Sequence, residues 1–241
     1  MIWEYTESMS HDFADVAALL SDPGRSAMLI ALMDGRALPA GQLAMIANVA
    51  PQTASSHLTR LLDGQLLVVE PQGRHRYYRL AGSEVAHAVE ALMAITPRAN
   101  QAVQKSAIRR TPDYALAYSR TCYSHLAGRL AVHIADALQH RGLLTQGESN
   151  RFAVTQRGRN WFARLGIEIT EREMKDPRFA RRCLDWTERR HHVAGHLGSA
   201  MLVRFRERKW IAPIRDSRAV RVTLEGQRQF WELLRVNGRS R

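Results

Sequence analysis

One stretch near the N-terminus, "LPAGQLAMIANVAPQTASSHLTRLLDG" at residues 38–64, constrains the fold more than any other. Its pattern predicts two helices joined by a tight turn around Asn48, with Pro51 at a first helical position, where its missing N–H is no loss. The apolar side of the second helix consists of Ala54, Leu58, Leu61 and Leu62. Its opposite side carries short polar residues and one arginine, namely Gln52, Thr53, Ser55, Ser56, His57 and Arg60.

The composition of that polar side is informative. Ser and Thr are mediocre helix formers, because their hydroxyls compete for the backbone. A side that is merely solvated would normally carry Glu and Lys. Short hydrogen-bonding side chains with one arginine suit a surface that comes close to another polar surface.

The flanking segments define the order of elements. Apolar spacing predicts helices at 12–20 and 25–34, the second ending near Gly35. After the central pair, "LLVVEPQGRHRYYRL" predicts a hairpin whose second strand is rich in Tyr and Arg, and "SEVAHAVEALMAI" predicts a helix. The central pair is therefore interpreted as a helix-turn-helix and the hairpin as a wing.

Residues 11–95 resemble the ArsR/SmtB family of bacterial winged-helix repressors. The resemblance is carried by the Ser-x-His-Leu motif at 55–58, by Gly-x-Leu at 64–66 and by the basic wing at 74–80. One departure is Ala50, where the family often has a hydroxyl side chain that caps the recognition helix; the loss of such a cap costs about 0.5–2 kcal/mol. The resemblance implies a DNA-binding regulator of transcription with an extended C-terminal half.

The expected partner is double-stranded DNA. A helix in the major groove bonds base edges and phosphates, and a basic wing adds contacts that are independent of sequence. The predicted DNA contacts are Gln52, Thr53, Ser55, Ser56, His57 and Arg60 on the helix, and Arg74, His75, Arg76 and Arg79 in the wing. Tyr77 and Tyr78 alternate along the strand, so one of them is expected in the core.

The net charge agrees with such a partner. The chain has 35 Lys and Arg against 23 Asp and Glu, a formal charge of +12, which suits a polyanion. Only Lys105, Lys175 and Lys209 are lysines. The excess of arginine reflects either phosphate and base recognition or a GC-rich coding sequence.

Other functional classes find little support in the sequence. No apolar run is long enough to predict a membrane span, the N-terminus does not resemble a secretory signal, and two cysteines cannot form a disulfide framework. A cytoplasmic protein without a membrane partner is therefore expected. The sequence has no Gly-rich phosphate loop or nucleophile elbow, so neither an enzyme nor a cofactor is expected.

Apolar residues on the helices at 12–20 and 84–95 exceed what one thin unit can bury. They predict a two-fold homodimer, which places two recognition helices about one DNA turn, roughly 34 Å, apart and makes the operator an imperfect palindrome. The predicted dimer residues are Phe13, Val16, Leu20, Val89 and Leu92.

The C-terminal half contains a repeat. "HLAGRL" at 125–130 recurs as "HVAGHL" at 192–197, and "VTQRG" at 154–158 recurs as "VTLEG" at 222–226. Each copy is interpreted as a long helix (123–140 or 187–208), a short strand, a hairpin and a closing helix, the order of the second half of a winged helix. Chance similarity is the alternative.

The fold class is thus mostly α (α+β), with a winged helix-turn-helix domain followed by two degenerate winged-helix-like repeats. The predicted domains are a DNA-binding and dimerisation domain at 1–96, a linker or helical connection at 97–118, and repeats at 119–170 and 171–241, the latter being the expected effector-sensing region.

The effector is left open by the sequence. The ligands of the family's metal sites are absent at the positions where the resemblance would place them, which puts a metal response in doubt. The first choice is a small apolar molecule wedged between the helices predicted at 123–140 and 187–208, and the second is thiol oxidation or a metal ion at Cys122 and Cys183. The candidate effector or redox residues are Cys122, His125, Trp161, Cys183, Trp186 and His192.

A metal site in the C-terminal half is the lesser alternative, because the two cysteines do not match in the repeat and its histidines are expected to bond backbone carbonyls. Its residues would be Cys122, His125, Cys183, His192 and His196.

Two functions follow. The first is a sequence-specific homodimeric repressor, released from its operator by an effector acting on the C-terminal half. The alternative is a non-specific or architectural nucleic-acid-binding or protein-interaction module built from winged units. A base-reading helix is needed only by the first, and the sequence offers it once, at residues 51–62.

Overall fold

The structure is a computed structural model that describes residues 12–72, 75–96, 113–122, 124–148 and 150–237. The chain divides into two compact units, Met1–Val89 and Glu90–Arg241. The division falls inside the helix that follows the wing. Residues 97–112 of the predicted linker lie outside the described residues, and the finer domain boundaries stay predictions.

The first unit has the predicted winged helix-turn-helix order. Its helices are α1 (Asp12–Leu20), α2 (Pro23–Ala31), α3 (Ala40–Ala47), α4 (Pro51–Asp63) and α5 (Ser83–Ile95), with a 3-10 turn at Leu32–Asp34. Its strands are β1 (Leu38–Pro39), β2 (Leu67–Gln72) and β3 (His75–Leu80). The strands form one antiparallel sheet in the order β1-β3-β2. The predicted helix-turn-helix and wing are therefore confirmed.

Local sequence explains how α4 begins. Asn48 ends α3 in the left-handed conformation, with φ 53°, which Asn tolerates better than most residues. Pro51 is the first residue of α4, and Ala50 before it offers no side-chain hydrogen bond to the helix. The turn is tight, as predicted, and the predicted absence of a side-chain cap is confirmed.

The apolar side of α4 belongs to the core of the first unit. Ala54, Leu58 and Leu61 are at most 1% exposed. Tyr78 of the wing is buried and Tyr77 is half-buried, as their alternation along β3 requires. Packing of α4 against the core fixes which of its sides faces solvent.

The described part of the second unit contains one order of elements twice. The first copy comprises α6 (Asp113–Tyr118), β4 (Arg120–Cys122), β5 (His125–Ala127), α7 (Arg129–His140), β6 (Leu144–Gln146), β7 (Phe152–Val154) and α8 (Gln156–Leu165). The second comprises α9 (Glu171–Lys175), β8 (Arg181–Leu184), β9 (His191–Ala194), α10 (Gly195–Glu207), β10 (Ile211–Pro213), β11 (Val220–Val222) and α11 (Leu224–Leu234). The winged-helix-like character of each copy stays a prediction.

The long helices predicted at 123–140 and 187–208 are wrong at their N-terminal ends. Strands β5 and β9 occupy residues 125–127 and 191–194, and the helices begin only after them. Gly128 and Gly195, with φ 86° and 73°, end the strands in a conformation that other residues rarely adopt. A Cβ at either glycine would also press on backbone carbonyl oxygens just before β4 or β8.

Reciprocal backbone hydrogen bonds join the two copies. The Phe152 N–H donates to the Ala180 carbonyl over 2.8 Å, and the Val220 N–H donates to the Ser119 carbonyl over 2.9 Å. The second hairpin of each copy thus borders the first hairpin of the other copy. This reciprocity is what an approximate internal two-fold relation produces.

One apolar core runs through both copies of the second unit. Phe205 stacks on Trp210 with ring centroids 5.4 Å apart, and it meets Phe230 edge-on at 5.1 Å. Trp161, a predicted effector residue, lies in the same core with Phe162. Most of the aromatic area of this half therefore serves packing.

Among the described residues, no single helix is long and apolar enough to cross a membrane. The bent pair Asp12–Leu20 and Pro23–Asp34 satisfies that length and composition only when its two members are counted together.

We expect Gly158→Ala and Gly226→Ala each to lower the free energy of unfolding by about 1–3 kcal/mol, as overpacking does. In both copies the added Cβ would overlap the backbone carbonyl of the preceding hairpin, at Leu143 or Trp210. Urea unfolding followed by circular dichroism measures the change. Gly41→Ala is the control, since its Cβ meets nothing within 4 Å. Equal losses in the control would contradict the packing argument.

Candidate nucleic-acid interface and Cys–His cluster

The polar side of α4 is open to solvent. Five of the six predicted helix contacts are exposed, namely Gln52, Thr53, Ser55, Ser56 and Arg60. The first turn of α4 contains no acidic residue, so no carboxylate there would repel a phosphate. The exposed side can donate and accept hydrogen bonds and carries one positive charge.

His57 differs from the other predicted helix contacts. Its side chain is 13% exposed, and its Nε2 lies 3.5 Å from Asp22 Oδ1. A Cβ at Gly24 would also fall within 3.1 Å of that nitrogen. His57 therefore packs on the start of α2, and a DNA contact by this residue stays a prediction.

The wing presents a mixed picture. Arg76 is exposed, whereas Arg79 pairs with Glu70 on the neighbouring strand. Arg74 and the side chain of His75 lie outside the described residues. Of the predicted wing contacts in the described part of the hairpin, Arg76 is thus the exposed one.

The predicted dimer residues fall into two groups. Phe13, Val16 and Leu92 are exposed, by 76%, 39% and 45%, and Leu20 is half-buried. Val89 is buried within the chain, with 7% exposed. Apolar area on α1 and on the C-terminal part of α5 is therefore left open to solvent.

Four of the predicted effector residues converge in the second unit. The ligand atoms of Cys122, His125, Cys183 and His192 all lie within 4.8 Å of one another. The Nε2 atoms of the two histidines are 3.0 Å apart, so these atoms face each other and not a backbone carbonyl, contrary to expectation. His196 is exposed and does not belong to this group.

Strand register brings these four side chains together. Cys122 is the cross-strand partner of His125 in β4–β5, and Cys183 is that of His192 in β8–β9. The cysteines occupy equivalent positions, so the expectation that they do not match is wrong. Two residues separate the first pair and eight the second; because the hairpin tips differ in length, a single shift cannot align both strands of the repeat.

Two carboxylates approach the cluster. The Cys122 thiol donates to Glu90 Oε2 over 3.0 Å. His192 Nδ1 is buried and lies 3.6 Å from Asp185 Oδ2; within the described part of the chain it has no hydrogen-bond partner. We name these four residues, Cys122, His125, Cys183 and His192, the Cys–His cluster.

A buried charge network lies beside the Cys–His cluster. Arg120, 1% exposed, donates to Asp185 Oδ2 over 2.9 Å and to Glu90 Oε1 over 3.4 Å. Arg218 donates to the same Glu90 oxygen over 2.9 Å. The ring of Trp186 lies under the Arg120 guanidinium at 4.9 Å, and its Nε1 donates to Glu90 over 3.3 Å. Trp186, a predicted effector residue, is thus held in this network.

Both carboxylates of the network are ionised at neutral pH. Burial opposes the ionisation of Asp185, but the Arg120 guanidinium and the Thr187 hydroxyl outweigh it and lower the pKa of Asp185 to about 2. Burial likewise opposes the ionisation of Glu90, whose pKa is nevertheless lowered by Arg218 and Arg120. Two arginines therefore balance two buried acids.

Sequence reasoning missed Glu90 as a buried contact, and it missed Arg120 and Asp185 altogether. These residues are far apart along the chain and belong to no motif. The available signal was weak: Glu90 lies within the apolar run at 88–95, and Arg120 and Asp185 stand beside short apolar stretches.

The space predicted for a small apolar ligand is nearly closed. Between α7 and α10 the structure has a cavity of about 10 Å³, room for about one water molecule. Pockets for small molecules typically measure about 300–1,000 Å³. The lining residues are Leu126, Ala131, Ile134, Val193, Gly198, Met201 and Phe205.

A helix-turn-helix followed by a hairpin wing, with an exposed polar recognition helix, defines the winged-helix transcriptional regulators. The chain is 46% identical to the "Uncharacterized HTH-type transcriptional regulator YdfF" of Bacillus subtilis (strain 168) over 228 residues, which are 95% of this chain and 99% of that protein. The chain therefore belongs to the HTH-type transcriptional regulators, and it is an ArsR/SmtB-like member.

Two other similar proteins match a smaller part of the chain. The HTH-type transcriptional regulator CmtR of Mycobacterium tuberculosis (strain ATCC 25618 / H37Rv) is 37% identical over 82 residues, 34% of this chain and 69% of that protein. The homodimeric winged helix-turn-helix domain of Mb0332 from Mycobacterium bovis has a TM-score of 0.36 and 24% identity, and the match covers 42% of this chain and 89% of that domain. The chain matches no protein-family model.

We expect Arg120→Met to lower the free energy of unfolding by about 3–5 kcal/mol, because it leaves two buried carboxylates without their shared cation. Thermal and urea unfolding measure the loss. Arg228→Met is the matched control: its pairs with Glu225 and Glu232, at 2.7 and 3.1 Å, are exposed, so their loss should change the stability little. Similar losses in the two variants would contradict a stabilising role for the network.

Proposed function

We propose that this regulator is a homodimeric, sequence-specific repressor that is released from its operator by an effector acting on the second unit. The observation that carries the proposal is the exposed polar side of α4, placed between a tight turn and a basic wing. Short hydroxyl and amide side chains allow a helix backbone to lie deep in the major groove. A reducing cytoplasm is the expected compartment.

Base reading is assigned to the longest exposed donors of α4. Arg60 can bond guanine in two places, and Gln52 can bond adenine in the same manner. Thr53, Ser55 and Ser56 can hydrogen-bond to phosphates or base edges that lie directly against the helix, because their hydroxyl side chains are short. In the wing, Arg76 suits a phosphate contact that does not depend on sequence.

Dimerisation is assigned to α1 and the C-terminal part of α5. Their exposed apolar residues, Phe13, Val16 and Leu92, have no cover in the described part of the chain. Closed two-fold symmetry is the commonest way to bury such a surface. A dimer would present two copies of α4 to successive major grooves, so the proposed operator is an imperfect palindrome.

The route from effector to DNA is proposed to run through α5. This helix follows the wing directly and carries the proposed dimer residue Leu92, while Glu90 on the same helix accepts a hydrogen bond from Cys122. An effector shifts an equilibrium only by binding the two states unequally. A change at Cys122 would alter a bond to the helix that sets the spacing of the recognition helices.

We expect Arg60→Ala to weaken operator binding by about 1–3 kcal/mol, roughly 5- to 150-fold in Kd, because it removes a base contact. Fluorescence anisotropy with the protein's own upstream DNA, in competition with random DNA, measures the change. Arg76→Ala should weaken both DNAs to a similar extent and reduce the log–log salt slope by about 1.

The control for Arg60→Ala is Arg228→Ala, an exposed arginine of the second unit that should leave both affinities unchanged. If the wild-type protein does not distinguish its own upstream DNA from random DNA, the proposal fails and the architectural alternative takes its place. His57→Ala is unsuitable as a test, because loss of its packing on α2 would confound the result.

We expect Phe13→Asp to convert the dimer to monomer and to lower operator affinity. In a two-fold interface the substitution would bury one carboxylate from each subunit, and the two negative charges would repel each other. Analytical ultracentrifugation at micromolar concentration measures the oligomeric state. Met45→Asp is the matched control: Met45 is also 76% exposed but lies on α3, outside the proposed interface. A wild-type protein that sediments as a monomer would refute the dimer.

A further inference from the structure

We propose that the Cys–His cluster is a four-coordinate binding site for a divalent metal ion of the zinc class. Two thiolates and two imidazole nitrogens would provide the ligands, one Cys and one His from each copy of the internal repeat. The inference does not depend on the proposed repressor function, because metal binding is measured on the protein alone.

The first argument is the fit of the ligand atoms. Zinc bonds sulfur at about 2.3 Å and nitrogen at about 2.0–2.1 Å, so a tetrahedron requires about 3.3 Å between nitrogens and about 3.8 Å between sulfurs. The two Nε2 atoms are 3.0 Å apart, and all four ligand atoms lie within 4.8 Å of one another. The nitrogen pair is thus near the separation that a tetrahedron requires, and each of the other pairs exceeds the required separation by about 1.5 Å at most.

The second argument is the origin of the set. Each pair is a directly opposed cross-strand pair of one hairpin, Cys122 with His125 and Cys183 with His192. Side chains directly opposed on one side of a hairpin point the same way. The two pairs lie next to each other, so each copy of the repeat contributes one Cys ligand and one His ligand to the site.

The third argument is burial and charge. Cys122, His125 and His192 are at most 5% exposed, whereas Cys183 is partly exposed and leaves an entry path for an ion. Two thiolates would neutralise a divalent cation, and the adjacent acids Glu90 and Asp185 are already balanced by arginines. The loaded site would therefore add no net charge to the interior.

The fourth argument is the orientation of the histidines. A metal-bound histidine usually points its other ring nitrogen at a carboxylate. His192 Nδ1 is buried, has no hydrogen-bond partner among the described residues, and lies 3.6 Å from Asp185 Oδ2. A proton on Nδ1 leaves Nε2 with the lone pair that a metal requires. The two Nε2 atoms share one proton in a hydrogen bond, and an ion bound by both atoms would take the place of that proton.

The test uses the full reduced chain with Co²⁺ and Zn²⁺ as probes. We expect one Co²⁺ per chain, with the visible absorption of tetrahedral cobalt and a thiolate charge-transfer band, and stoichiometric displacement by Zn²⁺. Cys122→Ser and His192→Asn should abolish the bands. His196→Asn is the matched control and should retain them, because His196 lies on the adjacent helix but outside the cluster.

A second measurement avoids any substitution, in case the variants fail to fold. Zn²⁺ should slow the alkylation of both thiols in the wild-type protein by at least ten-fold, as read by mass spectrometry. Tetrahedral cobalt absorption together with this protection supports the site. Folded, reduced wild-type protein without cobalt absorption overturns it, as does unchanged alkylation with Zn²⁺. Spontaneous formation of a Cys122–Cys183 disulfide that persists in the presence of Zn²⁺ would assign the cluster to thiol redox chemistry instead.

Discussion

The second unit depends on the hydrogen bonds and ion pairs of one buried group, the guanidinium of Arg120. It donates to Asp185, to Glu90 and to the carbonyl of Leu116, at 2.9, 3.4 and 3.2 Å. An unpaired charge at 1% exposure would be prohibitively costly, so the helix before β4, the hairpin tip after β8 and α5 must all be in place together. Asp185 extends this constraint by accepting the Gly128 N–H over 2.7 Å.

Because one order of elements occurs twice in the second unit, a few short strands bring two Cys and two His side chains close together. Each copy lends a hairpin edge to the other copy, as the Phe152 and Val220 backbone bonds show. The Cys–His pair of the first copy therefore lies beside the Cys–His pair of the second copy. Residues of both first hairpins, Leu126 and Val193, belong to the same apolar core as Phe205. The Cys–His cluster is therefore positioned by strands that are packed on this core.

The first unit follows a different physical logic. Packing in its core requires apolar residues on one side of α4 and places no such requirement on the other side. The exposed side can therefore carry Ser and Thr, although both are poor helix formers. His57 is the exception, since it packs on α2 near Asp22. Helix α5 belongs to both units by its residue range. Val89 on this helix is buried, and Glu90, the next residue, belongs to the charge network of the second unit.

The sequence by itself determined the winged helix-turn-helix, because its helices and hairpin are each encoded by local periodicity, a left-handed Asn48 and Pro51 at a helix start. It also disclosed the repeat and the side of α4 that faces solvent. It misassigned β5 and β9 as helix, because three or four residues are too few to show a strand period. Only the tertiary structure aligned Cys122 with Cys183 and gathered Glu90, Arg120 and Asp185, since hairpin tips of unequal length and contacts distant along the chain leave no local signal.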